Sequence, residues 1–438
     1  MTTETGERRG TLGLLAVSSI GIGGMVGGGI FAVLGLAVQL TRGGAPLAFA
    51  LAGVVALLTS YSYAHLSVTF RSEGGTVEFL NRAFGPGLAS GAANILLWIS
   101  YVVMLSLYAA AFGSYGASFL PAAWHALVRH ILISAVVVGL TLLNLAGSSA
   151  VGRAETWIVA IKIAILGLFV AAGLWSVDTA RLAPAQWSRP LSLVAGGMLI
   201  FLAYEGFELI ANAAVDARSP ERTLPRAFFG SVLFVIVLYV LVAAVTVGQL
   251  PVARIVAARD YALAAAAEPF FGRAGFSLIA AAALLSTASA INATLYGATR
   301  VSYIIAREGE LPEVLERKMW HRPVEGLLVT SGLTLLVANL FDLSSISMMG
   351  SAGFLLIFAA VNVANVRCAD RTGSRRWISA TAVVACLLAL AALLVRTAMD
   401  TPAKLTVLAA MLALSVGIEA SYRRYRKRRK KVVKFPRR

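Results

Sequence analysis

Apolar runs long enough to cross a lipid bilayer follow one another along most of the chain. A helix needs about 20 apolar residues to span the hydrocarbon core, and 58% of the 438 residues are hydrophobic whereas 13% are charged. A soluble protein of this length could not bury so much apolar surface, so the sequence predicts an all-α polytopic membrane protein. The predicted twelve transmembrane helices are residues 12–39, 45–70, 86–113, 127–147, 155–177, 191–214, 226–249, 273–305, 324–341, 346–366, 376–396 and 402–421.

The basic residues predict how these spans are oriented. With an even number of spans, both termini lie on the same side of the membrane. The predicted loops on that side carry more Lys and Arg than the opposite loops, and the excess persists when the C-terminal tail is left out. Because cytoplasmic loops are enriched in basic residues, we expect both termini in the cytoplasm and the protein in the cytoplasmic membrane.

The C-terminal sequence RRYRKRRKKVVKFPRR contributes 11 of the 38 basic residues, and the net charge of the chain is +17. A basic segment next to a transmembrane helix attracts anionic lipid headgroups. Nucleic-acid binding would require a folded basic domain beyond the membrane, for which the predicted layout leaves no sequence. We therefore expect anionic lipids, and no nucleic acid, as partners of this tail.

Two of the predicted spans are interrupted. The first contains GIGGMVGGGIF, with six glycines between Gly21 and Phe31, and the sixth contains FLAYEGFELIAN, with Gly206 between Glu205 and Glu208. Each glycine in a helix interior costs about 1 kcal/mol. Interruptions at corresponding places in two halves of a chain indicate an inverted-repeat transporter whose substrate site lies at the breaks. The alternative is close helix packing through small residues.

The interrupted spans are the first members of two sets of five, which defines the predicted layout. It comprises a cytoplasmic N-terminal tail (1–11), a first inverted repeat with spans 1–5 (12–177), a second inverted repeat with spans 6–10 (191–366), spans 11 and 12 (376–421), and a basic cytoplasmic tail (422–438). Unwound backbone survives in the membrane only inside protein or beside a cavity. Its N–H groups can bind a carboxylate and its carbonyl oxygens an ammonium group, so the breaks predict a receptor for an amino acid or an amine.

Glu205 and Glu208 lie well inside a predicted span, whereas the other acidic residues lie in loops or near span ends. A carboxyl group at that depth needs a partner or a proton, so both are candidates for carrying a proton. The alternative is a neutral carboxyl that satisfies unwound backbone. Lys162 is the basic counterpart in the fifth span, and it either takes part in proton coupling or reaches back to the cytoplasmic face. We expect Arg300 to form a structural ion pair and His65 to be packed and hydrogen-bonded.

No pattern typical of an enzyme occurs in the chain. The four histidines are scattered, the two cysteines are too few for a disulfide framework, and the sequence contains neither a metal-ligand cluster nor a phosphate-binding loop. We therefore expect no catalytic residue, no metal site and no cofactor.

Several motifs, in order along residues 12–366, resemble those of the amino acid–polyamine–organocation (APC) superfamily of transporters. GGMVGGGIF is similar to the glycine signature of its first span, and EGGTVEFLNRAFG to its first cytoplasmic loop. SPERTLPRA is similar to its pattern after span six, and SAINATLYGATRVSYIIAREGELP to its span-eight signature. The resemblance implies a LeuT-like fold with a 5+5 inverted repeat, discontinuous helices 1 and 6, and alternating access. It is closest to proton-coupled, broad-specificity amino acid permeases.

The resemblance also implies which residues bind substrate. Amides of three glycines in the first break would bind a carboxylate, and carbonyl groups from both breaks would bind an amino group. The predicted substrate-binding residues are Met25, Gly27, Gly28, Gly29, Ala203, Tyr204, Glu205 and Gly206.

The same resemblance implies coupling to protons rather than to sodium. Lys162 matches a span-five lysine that occupies the second sodium site, with Ser286 and Gly23 facing it. Glu208 matches an acid assigned to proton sensing in the arginine/agmatine antiporter branch. Glu205 departs from the family, which more often has an apolar residue there. A polyamine or cationic amino acid permease or exchanger is therefore an alternative to an amino acid transporter, and a channel or non-transporting sensor is the alternative from another class.

Overall fold

The computed structural model describes residues 10–146, 151–307 and 324–433, and the side chains of 10–146, 157–307 and 324–424. Most of the predicted N-terminal tail, the EGELP end of the span-eight motif and most side chains of the basic C-terminal tail lie outside the described residues. The expected lipid contacts of that tail stay a prediction.

The part of the chain that the structure describes is almost entirely helical. It contains no β-strand, only the isolated bridges between Leu12 and Ala217 and between Arg42 and Trp187. The α-helices are α1 (Leu14–Met25), α2 (Gly29–Thr41), α3 (Ala45–Thr69), α4 (Thr76–Phe84), α5 (Leu88–Ala117), α6 (His125–Ala146), α7 (Val151–Gly173), α8 (Pro190–Leu199), α9 (Leu209–Asn212), α10 (Pro220–Gln249), α11 (Val252–Ala257), α12 (Ala262–Arg307), α13 (Val324–Leu340), α14 (Leu343–Arg367), α15 (Ala369–Thr372), α16 (Arg376–Asp400) and α17 (Ala403–Val433).

Among the described residues, 9 helices are long and apolar enough to cross a membrane, or 11 if α1–α2 and α8–α9 each count as one bent span. The prediction of an all-α polytopic membrane protein is therefore confirmed. The 17 described residues of α13 are apolar too, and this helix begins at the first residue described after the gap at 308–323. The predicted span at residue 273 starts beside Gly272, where α12 departs from helical geometry at a φ of 62°.

Both predicted interruptions are present. α1 ends at Met25 and α2 begins at Gly29, and the two helices meet at an angle of 45°. α8 is followed by the 3-10 helix Phe201–Tyr204, a turn at residues 205–208 and the short α9, and this pair is also bent by 45°. Each break leaves backbone N–H and C=O groups outside regular helix geometry, and these groups need other partners.

Two serines of α14 supply such partners at the second break. Ser347 and Ser351 donate hydrogen bonds of 2.6 and 2.8 Å to the carbonyl oxygen of Leu199. The N–H group of Leu202 donates to the hydroxyl oxygen of Ser351 over 3.1 Å. Because all three contacts are buried, α14 stabilises the unwound segment that follows α8.

The two serines are predicted to differ in their contribution to stability. Ser351→Ala leaves the Leu202 N–H group without its hydroxyl partner, which costs about 1–3 kcal/mol, whereas Ser347→Ala leaves Leu199 its bond to Ser351 and costs about 0.5–1.5 kcal/mol. Thermal unfolding of the purified protein in detergent should therefore show the larger loss for Ser351→Ala. Equal losses in the two variants would contradict this assignment.

Ion pairs connect several helices near the end of α3. Arg71 pairs with Glu221 at the start of α10, and Glu73 pairs with Arg300 near the end of α12. The expected structural role of Arg300 is confirmed. His65 lies close by on α3 with its Nδ1 atom 3.2 Å from a backbone carbonyl oxygen, which confirms the prediction of a packed, hydrogen-bonded histidine.

A second polar cluster lies at the start of α14. The Asp342 carboxylate accepts a hydrogen bond from Ser345 and lies 3.5 Å from Nζ of Lys404 and 3.6 Å from Nη2 of Arg259. Partial burial opposes ionisation of this carboxyl, but the hydrogen bond from Ser345 and the two cations hold its pKa below the usual range. The cluster joins the starts of α14 and α17 to the segment before α12.

Candidate functional site

The two breaks touch each other through their backbones. A Cβ atom added at Gly206 would lie 2.5 Å from the carbonyl carbon of Gly24, and one added at Gly29 would lie 2.7 Å from Cα of Ala203. Gly206 also has a φ of +116°, which residues with a side chain rarely adopt. These glycines therefore allow both the break and the close approach of the two segments.

Two of the three carbonyl groups predicted to bind an amino group, those of Met25 and Ala203 but not that of Tyr204, converge on one hydroxyl. Tyr239 of α10 places its hydroxyl oxygen 2.6 Å from the carbonyl oxygen of Met25 and 3.3 Å from that of Ala203. The single hydroxyl hydrogen of Tyr239 can be donated to only one of these two carbonyl oxygens at a time. Sequence reasoning missed Tyr239, for which the available signal was an isolated hydroxyl in the apolar run VLFVIVLYVLVAA.

The side chain of Tyr204 points to a different partner. Its hydroxyl donates to the carbonyl oxygen of Phe49 over 2.8 Å, and its ring lies 5.2 Å from that of Tyr239 between centroids. Only its backbone was predicted to bind substrate, and that role stays a prediction.

The glycine amides predicted to bind a carboxylate lie at the start of α2. Gly28 precedes this helix and Gly29 begins it, and the first N–H groups of a helix lack an intrahelical acceptor. Gly27 differs, because its N–H group donates to the carbonyl oxygen of Gly24 over 3.2 Å. Tyr108 of α5 covers this region, since a Cβ atom added at Gly28 would lie 2.4 Å from its ring.

Glu205 and Glu208 are brought together beside the second break. One oxygen of Glu208 accepts a hydrogen bond of 2.7 Å from the Gly206 N–H group, and the other accepts one of 3.3 Å from the Tyr101 hydroxyl. The Glu205 carboxyl interacts electrostatically with that of Glu208. Their side chains are only 2% and 1% exposed. The part played by Tyr101 was not foreseen from the sequence.

Lys162 and Ser286 both contact the first break. Nζ of Lys162 donates a hydrogen bond of 3.0 Å to the carbonyl oxygen of Gly23. The Ser286 hydroxyl lies 2.9 Å from the carbonyl oxygen of Val26 and also contacts that of Gly27. The lysine is 1% exposed, so it does not reach back to the membrane surface. Its role in coupling stays a prediction.

Every predicted site residue is buried in this conformation. This holds for the substrate-binding residues of both breaks and for the four residues predicted for proton coupling, Gly23, Lys162, Glu208 and Ser286. A molecule that binds at the breaks must therefore enter through a conformational change.

The family assignment follows from comparison with known sequences. The profile of the amino acid permease family matches residues 12–416. The chain belongs to this family. The predicted resemblance to APC transporters is thereby confirmed, and the protein is a membrane-embedded permease rather than an enzyme.

This permease is similar to several known proteins. It is 34% identical over 373 residues to the inner membrane transport protein YbaT of Escherichia coli (strain K12), covering 84% of this chain and 86% of that protein. It is 37% identical over 368 residues to an uncharacterized protein of Methanocaldococcus jannaschii, with 84% and 85% covered. A more distant relative, 24% identical over 380 residues, is the low-affinity putrescine importer PlaP of E. coli (strain K12), with 82% and 81% covered.

Gly206→Ala is predicted to abolish transport by this permease. The added methyl group would collide with backbone atoms of Gly24 and Met25, which cannot move aside as a flexible side chain could. Uptake into proteoliposomes and thermal unfolding both test this. Gly297→Ala is the matched control, because a Cβ atom there meets nothing within 4 Å. Normal uptake by Gly206→Ala would show that the close contact is not required.

Proposed function

We propose that this permease is a secondary active transporter that moves amino acids or related amines across the cytoplasmic membrane by alternating access and is coupled to protons. The observation that carries the proposal is the contact between two helix breaks, where carbonyl oxygens of Met25 and Ala203 converge on one point. Paired breaks of this kind form the substrate site of inverted-repeat transporters. Burial of the whole site fits a carrier that admits its substrate by a conformational change.

The proposed fold has twelve spans arranged as a LeuT-like 5+5 inverted repeat, with both termini in the cytoplasm. The 11 spans counted with the bent pairs become twelve when α13 is included. The bent pairs would be the first helix of each repeat. The repeats would keep the predicted limits, residues 12–177 and 191–366.

In the proposed site the substrate carboxylate lies at the start of α2 and its amino group lies at the carbonyl oxygens of Met25 and Ala203. The N-terminal end of a helix carries a partial positive charge, which favours an anion there. The ammonium group would donate to one of these carbonyl oxygens and to the hydroxyl oxygen of Tyr239. The hydroxyl would keep its own hydrogen bond to the other carbonyl oxygen.

Tyr239→Phe is predicted to weaken substrate binding by about tenfold, since it removes one acceptor for a charged donor. Competition binding to the purified protein measures this effect. Tyr204→Phe is a matched control, because it removes a buried hydroxyl that bonds to Phe49 instead of to the breaks. Equal affinities for the Tyr239→Phe variant and the wild type would rule out this role.

Coupling of transport to protons would depend on the ammonium group of Lys162. It contacts the first break at Gly23, one turn before the carbonyl groups that Ser286 contacts. A lysine held at that place can replace a bound cation by its own charge and can gain or lose a proton between states.

Lys162→Met is predicted to retain substrate binding while uptake loses its stimulation by an imposed proton gradient. Proteoliposomes loaded at different internal pH values, with and without sodium, provide the measurement. The wild type without a gradient serves as the reference for uncoupled uptake. Sodium-dependent uptake that is indifferent to pH would contradict the proposed coupling.

A polyamine or cationic amino acid permease is the second candidate function. The observation that favours it is the buried acid pair beside the second break, and one relative is named as a putrescine importer. A panel of amino acids and polyamines in the same uptake assay separates the two candidates. A substrate flux that does not saturate as the substrate concentration rises would instead identify a channel.

A further inference from the structure

A crevice of about 220 Å³ lies between α5, α14 and α17, and none of its lining residues belongs to the two helix breaks. Its walls include Ala93 of α5, Leu356 of α14 and Val416 of α17, and seven of its eight lining residues are Ala, Val, Leu or Ile. The eighth, Ser415, donates its hydroxyl hydrogen to the carbonyl oxygen of Leu412 in the same helix over 2.8 Å. The walls of the crevice therefore suit an apolar occupant.

The crevice opens at the surface of the helix bundle. Val416 on its rim is 46% exposed, and Ala93 and Leu356 are partly buried. An apolar cavity of about 150 Å³ holds a benzene molecule, so this larger crevice has room for a segment of a hydrocarbon chain. The hydrocarbon chains available to a membrane-embedded protein are the acyl chains of lipids. Because these chains are as apolar as leucine, selection between lipids must come from charged groups nearby.

Beyond one end of the crevice, α5 and α17 touch through a carboxylate. A Cβ atom added at Gly91 of α5 would lie 2.4 Å from the carboxyl group of Glu419, whose side chain is 0% exposed. Arg423, one turn further along α17, pairs with this carboxylate through Nε, and its side chain is 33% exposed. Since a guanidinium has five N–H donors, Arg423 can bind a second anion on its outer side.

Arg367 lies at the same end of the crevice as Arg423. Its guanidinium is 5.0 Å from the ring centroid of Phe84, which ends α4 immediately before the short connection to α5. Arg367 follows Leu356 by three helical turns, and Arg423 follows Val416 by two, so each arginine lies on a helix face that forms the crevice. These separations are about 16 and 10 Å along the helix axes. One leaflet of the hydrocarbon core is about 15 Å deep, so the arginines lie at headgroup level when the crevice lies among acyl chains.

The charges around this end of the crevice sum to a positive value. Each carboxylate on α4, α15 and α17 is paired with an arginine: Glu78 with Arg82, Asp370 with Arg376, and Glu419 with Arg423. Arg367 adds a further positive charge, and among the described residues it takes part in no salt bridge. The end of the crevice is therefore complementary to an anionic headgroup.

We propose that this crevice binds one anionic phospholipid, with an acyl chain between α5, α14 and α17 and the phosphate at Arg367 and Arg423. Guanidinium groups bind phosphate through parallel N–H groups, and each basic side chain near an anionic lipid strengthens binding by about fivefold. The bound lipid joins three helices and stabilises the position of α17. The site is independent of the proposed transport function, because it uses no residue of the helix breaks.

The experiment measures thermal unfolding of the full-length protein in detergent as lipid is added. The probes are palmitoyl-oleoyl phosphatidylglycerol and palmitoyl-oleoyl phosphatidylcholine, which have the same acyl chains and differ in headgroup charge. The unfolding temperature should rise and saturate, because the lipid binds the folded protein. The apparent Kd should be about 25-fold lower for phosphatidylglycerol. Native mass spectrometry should show one retained phosphatidylglycerol per chain, and glycerol 3-phosphate, which has no acyl chain, should give no shift.

Three variants separate the headgroup from the acyl chain. Arg367→Gln should weaken phosphatidylglycerol binding by about fivefold and leave phosphatidylcholine binding unchanged. Ala93→Phe fills the crevice from its α5 wall and should weaken the binding of both lipids. Arg424→Gln is the matched control, because Arg424 is exposed and lies about 100° around α17 from Arg423. It should keep the wild-type affinities. The comparison of the two lipids on the wild type does not depend on any variant folding.

Several results would overturn the inference. Equal affinities for the two lipids would remove the role of the arginines, and a shift that never saturates would indicate a bulk effect of lipid. An equal loss in Arg424→Gln and Arg367→Gln would assign the effect to the general charge of the basic C-terminal segment. Unchanged lipid binding by Ala93→Phe would exclude the crevice. Self-association that Ala93→Phe abolishes would assign the crevice to a second copy of the chain.

Discussion

The structure of this permease depends on satisfying backbone groups in a region without water. Two helix breaks expose N–H and C=O groups at the depth of the membrane, where an unpaired group costs several kcal/mol. Neighbouring helices supply several of the observed partners: serines of α14 at Leu199, Tyr239 at Met25 and Ala203, Ser286 at Val26, and Lys162 at Gly23. The same groups that make the breaks possible are the ones that a substrate could use.

Much of this arrangement could be predicted from local sequence patterns. Clustered glycines and two acids inside apolar runs showed where the helices break, because such residues are costly in a transmembrane helix. Arg300 and His65 were predicted from their position near a span end and within a polar stretch. These inferences need only the composition of a short segment and the physics of the bilayer.

The partners of the breaks could not be predicted in the same way. Ser347, Ser351, Tyr101 and Tyr239 lie in ordinary apolar helices, and their hydroxyl groups are typical of many transmembrane segments. Their importance arises from contacts between residues far apart in the chain, 214 positions for Tyr239 and Met25. The hydrogen bond from the Gly206 N–H group to Glu208 depends on the geometry of the turn at Gly206. The sequence indicated where this turn lies but not its geometry.

The backbone contact between the two breaks has a consequence for how this permease can evolve. Gly24 and Gly206 meet through backbone atoms, with the Leu209 side chain beside Gly24. The contact itself offers no position at which selectivity can be altered, because any larger residue would collide. Substitutions that alter the substrate range are therefore expected beside the contact, for example at Met25 and Glu205, and not within it.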